Sequence, residues 1–275
     1  MTRYALDSAT PVLSRPDGTV QVGWDPRRAV VVHPPPGLAA PVLADLLRAL
    51  QSAATVPELQ SLAAGRGADA SVVTGLVTHL VDSGVLTAAA PPRDRAASVR
   101  IHGDGPLSDL ISSALSGSGA RVSHSSRAHA SAGGADLAVL ADYLVADPRV
   151  VRELHDAGVP HLTVRVRDGA GLIGPLVIPG VTSCLRCADL HRSDKDPAWA
   201  AVATQLCRTV GTADRATVLA TAGLALREIN HVLRALRGDD HGSSSPSTLD
   251  TTLEFDVSTG SLIARRWSAH PQCAC

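Results

Sequence analysis

Strands and helices alternate in the stretch SVRIHGDGPLSDLISSALSGSGARVSH, residues 98–124, and this alternation sets the fold class. The pattern predicts a strand, a glycine-rich turn, a helix, a second turn and a second strand. A buried strand in ADLAVLADY (135–143), a helix over 147–158 and a strand in PHLTVRVRDG (160–169) continue it. Because strands that alternate with helices form parallel sheets, we predict an α/β, Rossmann-like domain.

Three further segments extend this domain. Residues 214–236 keep apolar side chains at a spacing of three to four, which predicts a long helix. The segment TLEFDVSTGSLIARRW (252–267) alternates on both sides of a turn and predicts a β-hairpin. The polar, glycine-rich stretch at 237–248 is expected to be a flexible loop.

The N-terminal part of the chain has a different organisation. We expect three short strands within residues 10–33, then helices over 38–50, 55–65 and 69–84, then a short strand or wing at 85–86. Small helices flanked by short strands predict a winged-helix unit. The predicted domains are therefore a winged-helix domain at 1–88, a linker at 89–98 and the Rossmann-like domain at 99–275.

Composition and charge argue against several classes of function. The chain has 25 Lys and Arg against 26 Asp and Glu, so no global basic field attracts nucleic acid or an anionic membrane. Aromatic residues are only 2% of the chain, which leaves few platforms for base stacking. We find no secretion signal and no apolar run of membrane-spanning length. We therefore expect a cytoplasmic protein with reduced cysteines.

Four of the five cysteines form two pairs that are distant in sequence. Cys184 and Cys187 lie in TSCLRCADLH, and Cys273 and Cys275 lie in HPQCAC. Together the pairs supply the four thiolates that a structural, tetrahedral Zn²⁺ site prefers. The sequence therefore predicts a zinc site that ties down the C-terminal segment and closes a loop of about 90 residues.

Other roles for the cysteines remain open from the sequence. The two pairs could form disulfides, which the expected location disfavours, or they could be unrelated reduced thiols. His191 or His270 could replace one cysteine as a ligand. Cys207 is expected to be a free, buried thiol, and a nucleophile is the alternative.

The glycine-rich turn has the context of a dinucleotide-binding turn, because Gly103 and Gly105 follow a strand and precede a helix. Ser108 stands at the third glycine position, and Pro106 lacks an N–H group that could face a phosphate. The next strand ends without the acidic residue that would hold a ribose. We expect a turn that no longer binds a nucleotide, and retained binding is the alternative.

Residues 99–275 resemble the ThiF-like, ubiquitin-activating-type adenylation fold. The resemblance rests on ADLAVLADY, HDAGVPHLTVRV, GPLVIPGVTSCLRC and the C-terminal cysteine pair. It implies structural zinc bound by both cysteine pairs, a possible homodimer, and a magnesium/ATP aspartate at the position of Asp142. Residues 10–86, with LSRPDGTVQVGWDPRRAVVV, resemble the small PqqD-like winged-helix, or peptide-clasp, domain that binds leader peptides in ribosomal peptide maturation.

Together the two halves resemble TOMM precursor leader-peptide-binding proteins, a family of bacteriocin biosynthesis cyclodehydratase components. In that family a separate YcaO-type enzyme uses ATP to cyclise Cys, Ser or Thr residues, and the ThiF-like protein presents the precursor. The resemblance implies that the leader adds as a strand beside the third strand and packs on the helix at 69–84. The residues implied in docking are Arg28, Val30, Val32, Val73, Leu76 and Leu80, with ordinary core packing as the alternative for Leu76 and Leu80.

The chain departs from the active adenylating members of this family. The segment SHSSRAHASAGG (123–134) has no equivalent of the Arg and Lys that bind the phosphates, and developing phosphate charge needs such cations. We therefore assign no catalytic residue and do not expect ATP binding. If a degenerate nucleotide site persists, Gly103, Gly105 and Asp142 would form it.

Three functions from different classes compete. The first is a non-catalytic binding protein for a leader peptide, partnered with a YcaO-type cyclodehydratase. The second is an ATP-dependent ThiF-type adenylating enzyme, suggested by the glycine turn and Asp142. The third is a winged-helix DNA-binding regulator, which is disfavoured because the helix at 69–84 contains no Lys or Arg. We expect neither a nucleic acid nor a membrane partner.

Overall fold

The structure is a computed structural model, in which residues 1–89, 95–126, 134–237 and 245–275 are described. These residues divide into two compact units, one within Met1–Arg93 and one within Asp94–Leu236 and Gly242–Cys275. Parts of three segments discussed above lie outside the described residues: 90–94 of the predicted linker, 127–133 of the segment SHSSRAHASAGG, and 238–244 of the predicted flexible loop.

Within its described residues, the first unit contains two small antiparallel sheets and three helices. Its elements are β1 (Arg3–Ala5), β2 (Val12–Ser14), β3 (Val20–Val22), β4 (Val30–Val32), α1 (Ala40–Leu50), β5 (Ala54–Thr55), α2 (Val56–Gly65), α3 (Val72–Asp82) and β6 (Thr87–Ala89). One sheet has the order β2-β3-β4 and the other the order β5-β1-β6. The three predicted strands and three predicted helices are thus present.

Local sequence signals explain where these helices begin and which face they bury. At α2, the Thr55 side chain accepts a hydrogen bond from the Glu58 N–H, and the Glu58 side chain accepts one from the Thr55 N–H. This capping box satisfies two amides that would otherwise lack partners. In α1, apolar side chains at a spacing of three to four are buried in the unit's core: Val42, Leu43, Leu46, Leu47 and Leu50.

The second unit is built on a sheet that has seven strands in the described chain. The strands are β7 (Ser98–His102), β8 (Arg121–Ser125), β9 (Leu137–Ala141), β10 (His161–Arg167), β11 (Ala170–Val177), β12 (Thr251–Asp256) and β13 (Ser261–Arg266). Their order is β13-β12-β11-β10-β9-β7-β8. The strands β8, β7, β9 and β10 are parallel, whereas β11, β12 and β13 join by antiparallel pairing.

The sheet is therefore mixed: β12 and β13 form the predicted hairpin, but β10 and β11, which the alternation of strands and helices would have made parallel to their neighbours, are joined antiparallel. The cause lies at Asp168 and Gly169, both of which have positive φ and connect β10 directly to β11. A tight turn joins only antiparallel neighbours, because a parallel neighbour needs a crossover connection.

Five helices flank this sheet in the described residues: α4 (Pro106–Leu115), α5 (Pro148–Asp156), α6 (Leu185–Ser193), α7 (Trp199–Leu206) and α8 (Arg215–Arg237). The long α8 buries Val218, Ala222, Ala225 and Ile229 in the core of the unit, as its periodicity predicts. The sequence did not lead to a prediction of the helices α6 and α7. No helix of the described chain has both the length and the apolar character needed to cross a bilayer.

Candidate functional site

The four cysteines of the two distant pairs meet in the second unit. Cys184 precedes the first turn of α6 and Cys187 lies within it, while Cys273 and Cys275 follow β13. The sulfur of Cys184 lies 3.8 Å from that of Cys187 and 3.5 Å from that of Cys273. The Cys187 and Cys275 sulfurs are 3.4 Å apart, and all four sulfurs lie within 4.8 Å of one another.

This arrangement fits a tetrahedral metal site. Four sulfurs at about 2.3 Å from one Zn²⁺ ion are separated by roughly 3.8 Å along the edges of the tetrahedron. The observed separations of 3.4, 3.5 and 3.8 Å match that spacing. Because no sulfur pair is at the bonding distance of about 2.05 Å, the arrangement does not correspond to two disulfides. The cluster can therefore hold a metal such as zinc.

The thiols differ in how readily they lose a proton. Burial opposes ionisation of Cys187, but hydrogen bonds from the backbone of His270 and Cys184 and from the thiols of Cys275 and Cys273 together outweigh it and lower the pKa of Cys187 to about 7. Burial raises the pKa of Cys184, and the neighbouring charge of Cys187 raises it further. A bound cation would remove that repulsion and stabilise the thiolates, so metal binding would release protons.

Hydrogen bonds outside the cluster hold the two cysteine-bearing segments in place. The Asp250 carboxylate accepts bonds from the Ser183 N–H at 2.7 Å and from the Ser183 hydroxyl at 2.6 Å. The Asp250 carbonyl accepts a bond from the Trp267 N–H at 2.7 Å. Asp250 thus positions both the residue before Cys184 and the segment that leads to Cys273.

His191 and His270 lie beside the cluster without replacing a cysteine in it. The rings are 4.7 Å apart, and Nε2 of His270 lies 2.9 Å from the Asp194 carboxylate. Nδ1 of His270 accepts a bond from the Gln272 N–H at 3.1 Å. Nε2 of His191 lies 3.1 Å from the Ser268 carbonyl. These bonds orient the C-terminal segment, and the four-sulfur set needs no imidazole.

The predicted nucleotide-site residues Gly103, Gly105 and Asp142 also come together. Asp142 is only 1% exposed, and its carboxylate accepts bonds from the Leu107 N–H at 2.9 Å and the Ser108 N–H at 3.3 Å. A Cβ atom at Gly103 would lie 2.6 Å from an Asp142 oxygen, and one at Gly105 would lie 2.9 Å from the carboxylate carbon. Both glycines are therefore required by the side chain of Asp142.

The Asp142 carboxylate accepts N–H groups at the start of α4 that would face the phosphate in a phosphate-binding turn. Free N–H groups at a helix N-terminus attract anions, and in this chain the first turn of α4 donates two of them to Asp142. A phosphate at the same place would meet a like charge and would lack these donors. The residues of this turn do not fit a bound nucleotide phosphate.

Cys207 is a half-buried free thiol that donates to the Ala146 carbonyl at 3.7 Å. Burial raises its pKa, and the carboxylates of Asp147 and Asp189 raise it further. A thiol with a raised pKa forms little thiolate at neutral pH, so this environment does not activate Cys207 as a nucleophile.

The predicted peptide-docking residues divide into exposed and buried groups. β4 is an edge strand of its sheet in the described chain, Arg28 before it is exposed, and Val30 and Val31 are 39% and 40% exposed. Val32 is buried. Three predicted contacts on α3 are also buried in the core: Val73, Leu76 and Leu80. The helix face that was expected to contact the peptide therefore offers no side-chain surface to it.

Two structural features near the candidate sites escaped the sequence reasoning. Val31 was not singled out, although it shares the exposed edge with Val30. A cavity in the second unit contains arginines from several separate elements, and no local motif signals such a cavity. The one available signal was the pair of arginines, Arg165 and Arg167, at alternate positions of the buried strand β10.

No protein-family model and no curated protein sequence matches the chain. Solved structures do match it. A heterocyclase in complex with substrate and cofactor aligns with 100% of this chain at a TM-score of 0.67 and 16% identity. The heterocyclase TruD aligns with 100% at a TM-score of 0.65 and 19% identity. Escherichia coli MccB, solved with ATP, aligns with 99% at a TM-score of 0.55 and 12% identity.

The extent of these alignments differs between the two kinds of protein. This chain covers 39% and 42% of the two heterocyclase chains, whereas it covers 99% of MccB. The chain therefore spans about two-fifths of the heterocyclases that it matches. At such low identities the likeness establishes a shared fold.

Proposed function

We propose that this protein is a non-catalytic partner in the maturation of a ribosomally made peptide. It binds the leader of the precursor and presents the precursor to a YcaO-type cyclodehydratase that forms azoles or azolines. The main support is that the whole chain shares its fold with about two-fifths of heterocyclase chains, one of which was solved with its substrate. The proposal assigns ring formation to the partner enzyme.

The leader is proposed to bind the first unit, whose β2-β3-β4 sheet followed by α1, α2 and α3 we interpret as a winged-helix peptide clasp. β4 has a neighbour only on its β3 side within the described chain, so its other edge has backbone groups for a further strand. Val30 and Val31 supply exposed apolar surface there. Arg28 would attract an acidic leader residue.

The zinc site is proposed to be structural. Four cysteines leave no open position for a substrate or a water molecule on a tetrahedral ion. The ion would join the start of α6 to the C-terminal segment, which also carries the β13 strand of the sheet. Its role would be to hold the second unit together.

Adenylation is the alternative that a specific observation favours, because MccB was solved with ATP and aligns over nearly its entire length. The glycine turn argues against it. Asp142 already accepts the N–H groups that would receive a phosphate. Absence of pyrophosphate exchange into ATP with any carboxylate substrate would agree with the proposal, and exchange above background would support the enzyme.

Peptide binding is tested with fluorescent synthetic peptides that correspond to the short reading frames beside the gene. Fluorescence anisotropy should give saturable binding of one peptide to the full chain. Replacing Val31 with Lys (V31K) should weaken binding at least tenfold, because it places a charge on the docking edge. Val202, at 37% exposure on α7 in the second unit, provides the matched control V202K. Failure of every peptide to bind would overturn the proposal.

A further inference from the structure

The second unit contains a cavity that borders the cysteine cluster, since Cys184, Cys273 and Cys275 form part of its wall, and its other lining residues have no role in the proposed function. Its volume is about 860 Å³, which is within the range of sites for small organic ligands. Residues of α5, β10, α6 and the C-terminal segment line it. Its walls combine apolar side chains, such as Leu144, Val151 and Leu206, with charged ones.

The charged side chains of the cavity are mainly cationic. Five arginines and three aspartates line it, and the arginines are Arg152, Arg165, Arg167, Arg186 and Arg192. Among the carboxylates, Asp168 is 93% exposed and Asp156 is also exposed. Three of the arginines are exposed as well, whereas Arg165 is buried and Arg192 is half-buried, so water screens these two cations less than the exposed charges of either sign. The interior of the cavity favours a negative charge.

Arg165 is the deepest of these cations, and no anion partners it. Its residue is only 8% exposed, and within the described chain its guanidinium makes no hydrogen bond and no ion pair. Burial lowers the pKa of its guanidinium to about 10, and the charges of Arg192 and Arg167 lower it further. A guanidinium has five N–H donors, and those of Arg165, which lines the cavity, have no protein acceptor within the described chain.

Asp189, whose negative charge favours the charged form of Arg165, already accepts hydrogen bonds from other residues. Asp189 accepts bonds from Arg192 at 3.0 Å and from the Trp199 indole N–H at 3.3 Å. The Arg192 guanidinium also lies 5.0 Å from the ring centres of both Trp199 and Trp267. Stacking between two indoles holds this second cation in position. The cysteine thiols are not among the groups whose charges act on Arg165.

We propose that this cavity binds a small organic anion, with its carboxylate or phosphate group on Arg165. A planar guanidinium pairs with either group through two parallel N–H bonds. The remainder of the ligand would contact the apolar part of the wall and Trp199, which also lines the cavity. The site is separate from the glycine turn at α4 and does not depend on the peptide edge at β4.

The test titrates the zinc-loaded full chain with sodium phosphate and, separately, with sodium succinate, while sodium chloride keeps the ionic strength constant. Trp199 lines the cavity, so tryptophan fluorescence reports binding, and calorimetry checks the affinity. Saturable binding with a dissociation constant on the order of 1 mM or tighter is expected for at least one anion. Phosphate binding alone would identify a phosphate ester as ligand, and succinate binding alone a carboxylic acid.

Variants locate the binding site. Arg165→Met should weaken binding at least tenfold. Arg100→Met is the matched control, because Arg100 is 4% exposed on the neighbouring region of the sheet but does not line the cavity. If Arg165→Met fails to fold, Arg165→Lys keeps the charge and should weaken binding several-fold through loss of the two-bond geometry. Absence of binding beyond that of chloride, or wild-type affinity in the Arg165 variant, would overturn the proposal.

Discussion

The backbone N–H of Leu107 donates a 2.9 Å hydrogen bond to the carboxylate of Asp142, 35 residues further along the chain. This bond joins the first turn of α4 to the end of β9. It makes Asp142 an internal cap of the helix, and it explains why glycine is required at 103 and 105. A residue that the family resemblance associates with a nucleotide thus has a structural partner in this protein.

Replacing Asp142 with Asn should therefore destabilise the fold. The substitution keeps the size of the side chain but removes the charge that the two N–H groups of α4 stabilise. We expect the free energy of unfolding to fall by about 1–3 kcal/mol in urea denaturation.

Asp104→Asn is the control for this prediction, because Asp104 is exposed in the same turn. It should change the free energy of unfolding by less than about 0.5 kcal/mol. Equal stability of the Asp142 variant and the wild type would show that the carboxylate does not act as a cap.

Removal of the cysteine cluster should release one zinc ion per chain. In the double variant Cys184→Ser with Cys187→Ser, elemental analysis should find less than about one tenth of the wild-type zinc, because two thiolate ligands are lost. The linked cysteines are 89 residues apart in sequence. Constraining a loop of that size stabilises a protein by about 4 kcal/mol, so Tm should fall by roughly 10 °C.

Cys207→Ser provides the matched control for the cluster, since Cys207 is a free thiol outside it. This variant should keep its zinc and its Tm within about 2 °C. Wild-type protein that contains no zinc after expression in zinc-supplemented medium would contradict the structural site.

Stability should decline at acidic pH partly because of His161. Nδ1 of this fully buried ring donates to the Val159 carbonyl at 3.0 Å, and Nε2 has no partner in the described chain. Burial lowers the pKa of His161 below its ordinary value of 6.5. At acidic pH the unfolded chain then binds a proton at His161 that the folded chain does not bind. The contribution of the neutral His161 to the free energy of unfolding is therefore present above about pH 6.5 and is lost as the pH falls.

The corresponding measurement compares urea denaturation at pH 7 and pH 5. The wild type should lose up to about 1.4 kcal/mol per pH unit through His161, and His161→Gln should lose less over the same interval. His79→Gln, at an exposed position of α3, should follow the wild type. Identical pH profiles for His161→Gln and the wild type would refute this assignment.

Elements with a strong local signal could be predicted from the sequence. The spacing of Val218, Ala222, Ala225 and Ile229 indicated α8, and Thr55 with Glu58 indicated the start of α2. The two cysteine pairs indicated the four-sulfur cluster, because four thiolates are the ligand set that a structural, tetrahedral zinc site prefers. Such signals are local, or they depend on a residue type with a narrow range of chemistry.

Features that depend on distant partners could not be predicted. β1 is only three residues long and is a strand because β5 and β6 pair with it on either side. Leu76 and Leu80 repeat at helical spacing, but the sequence does not tell whether that face meets the core or a peptide. Likewise, the sequence does not show that the Arg165 guanidinium lacks an anionic partner, because this depends on Asp189 pairing with Arg192 instead.

The most direct test of the account measures peptide binding and nucleotide use in one titration. A fluorescent peptide that corresponds to a reading frame beside the gene is titrated with zinc-loaded protein, with and without Mg-ATP, while released pyrophosphate is assayed. The account predicts saturable binding that V31K weakens at least tenfold, no effect of Mg-ATP on the affinity, and no pyrophosphate. Pyrophosphate release that depends on the peptide, or equal binding by the wild type and V31K, would contradict it.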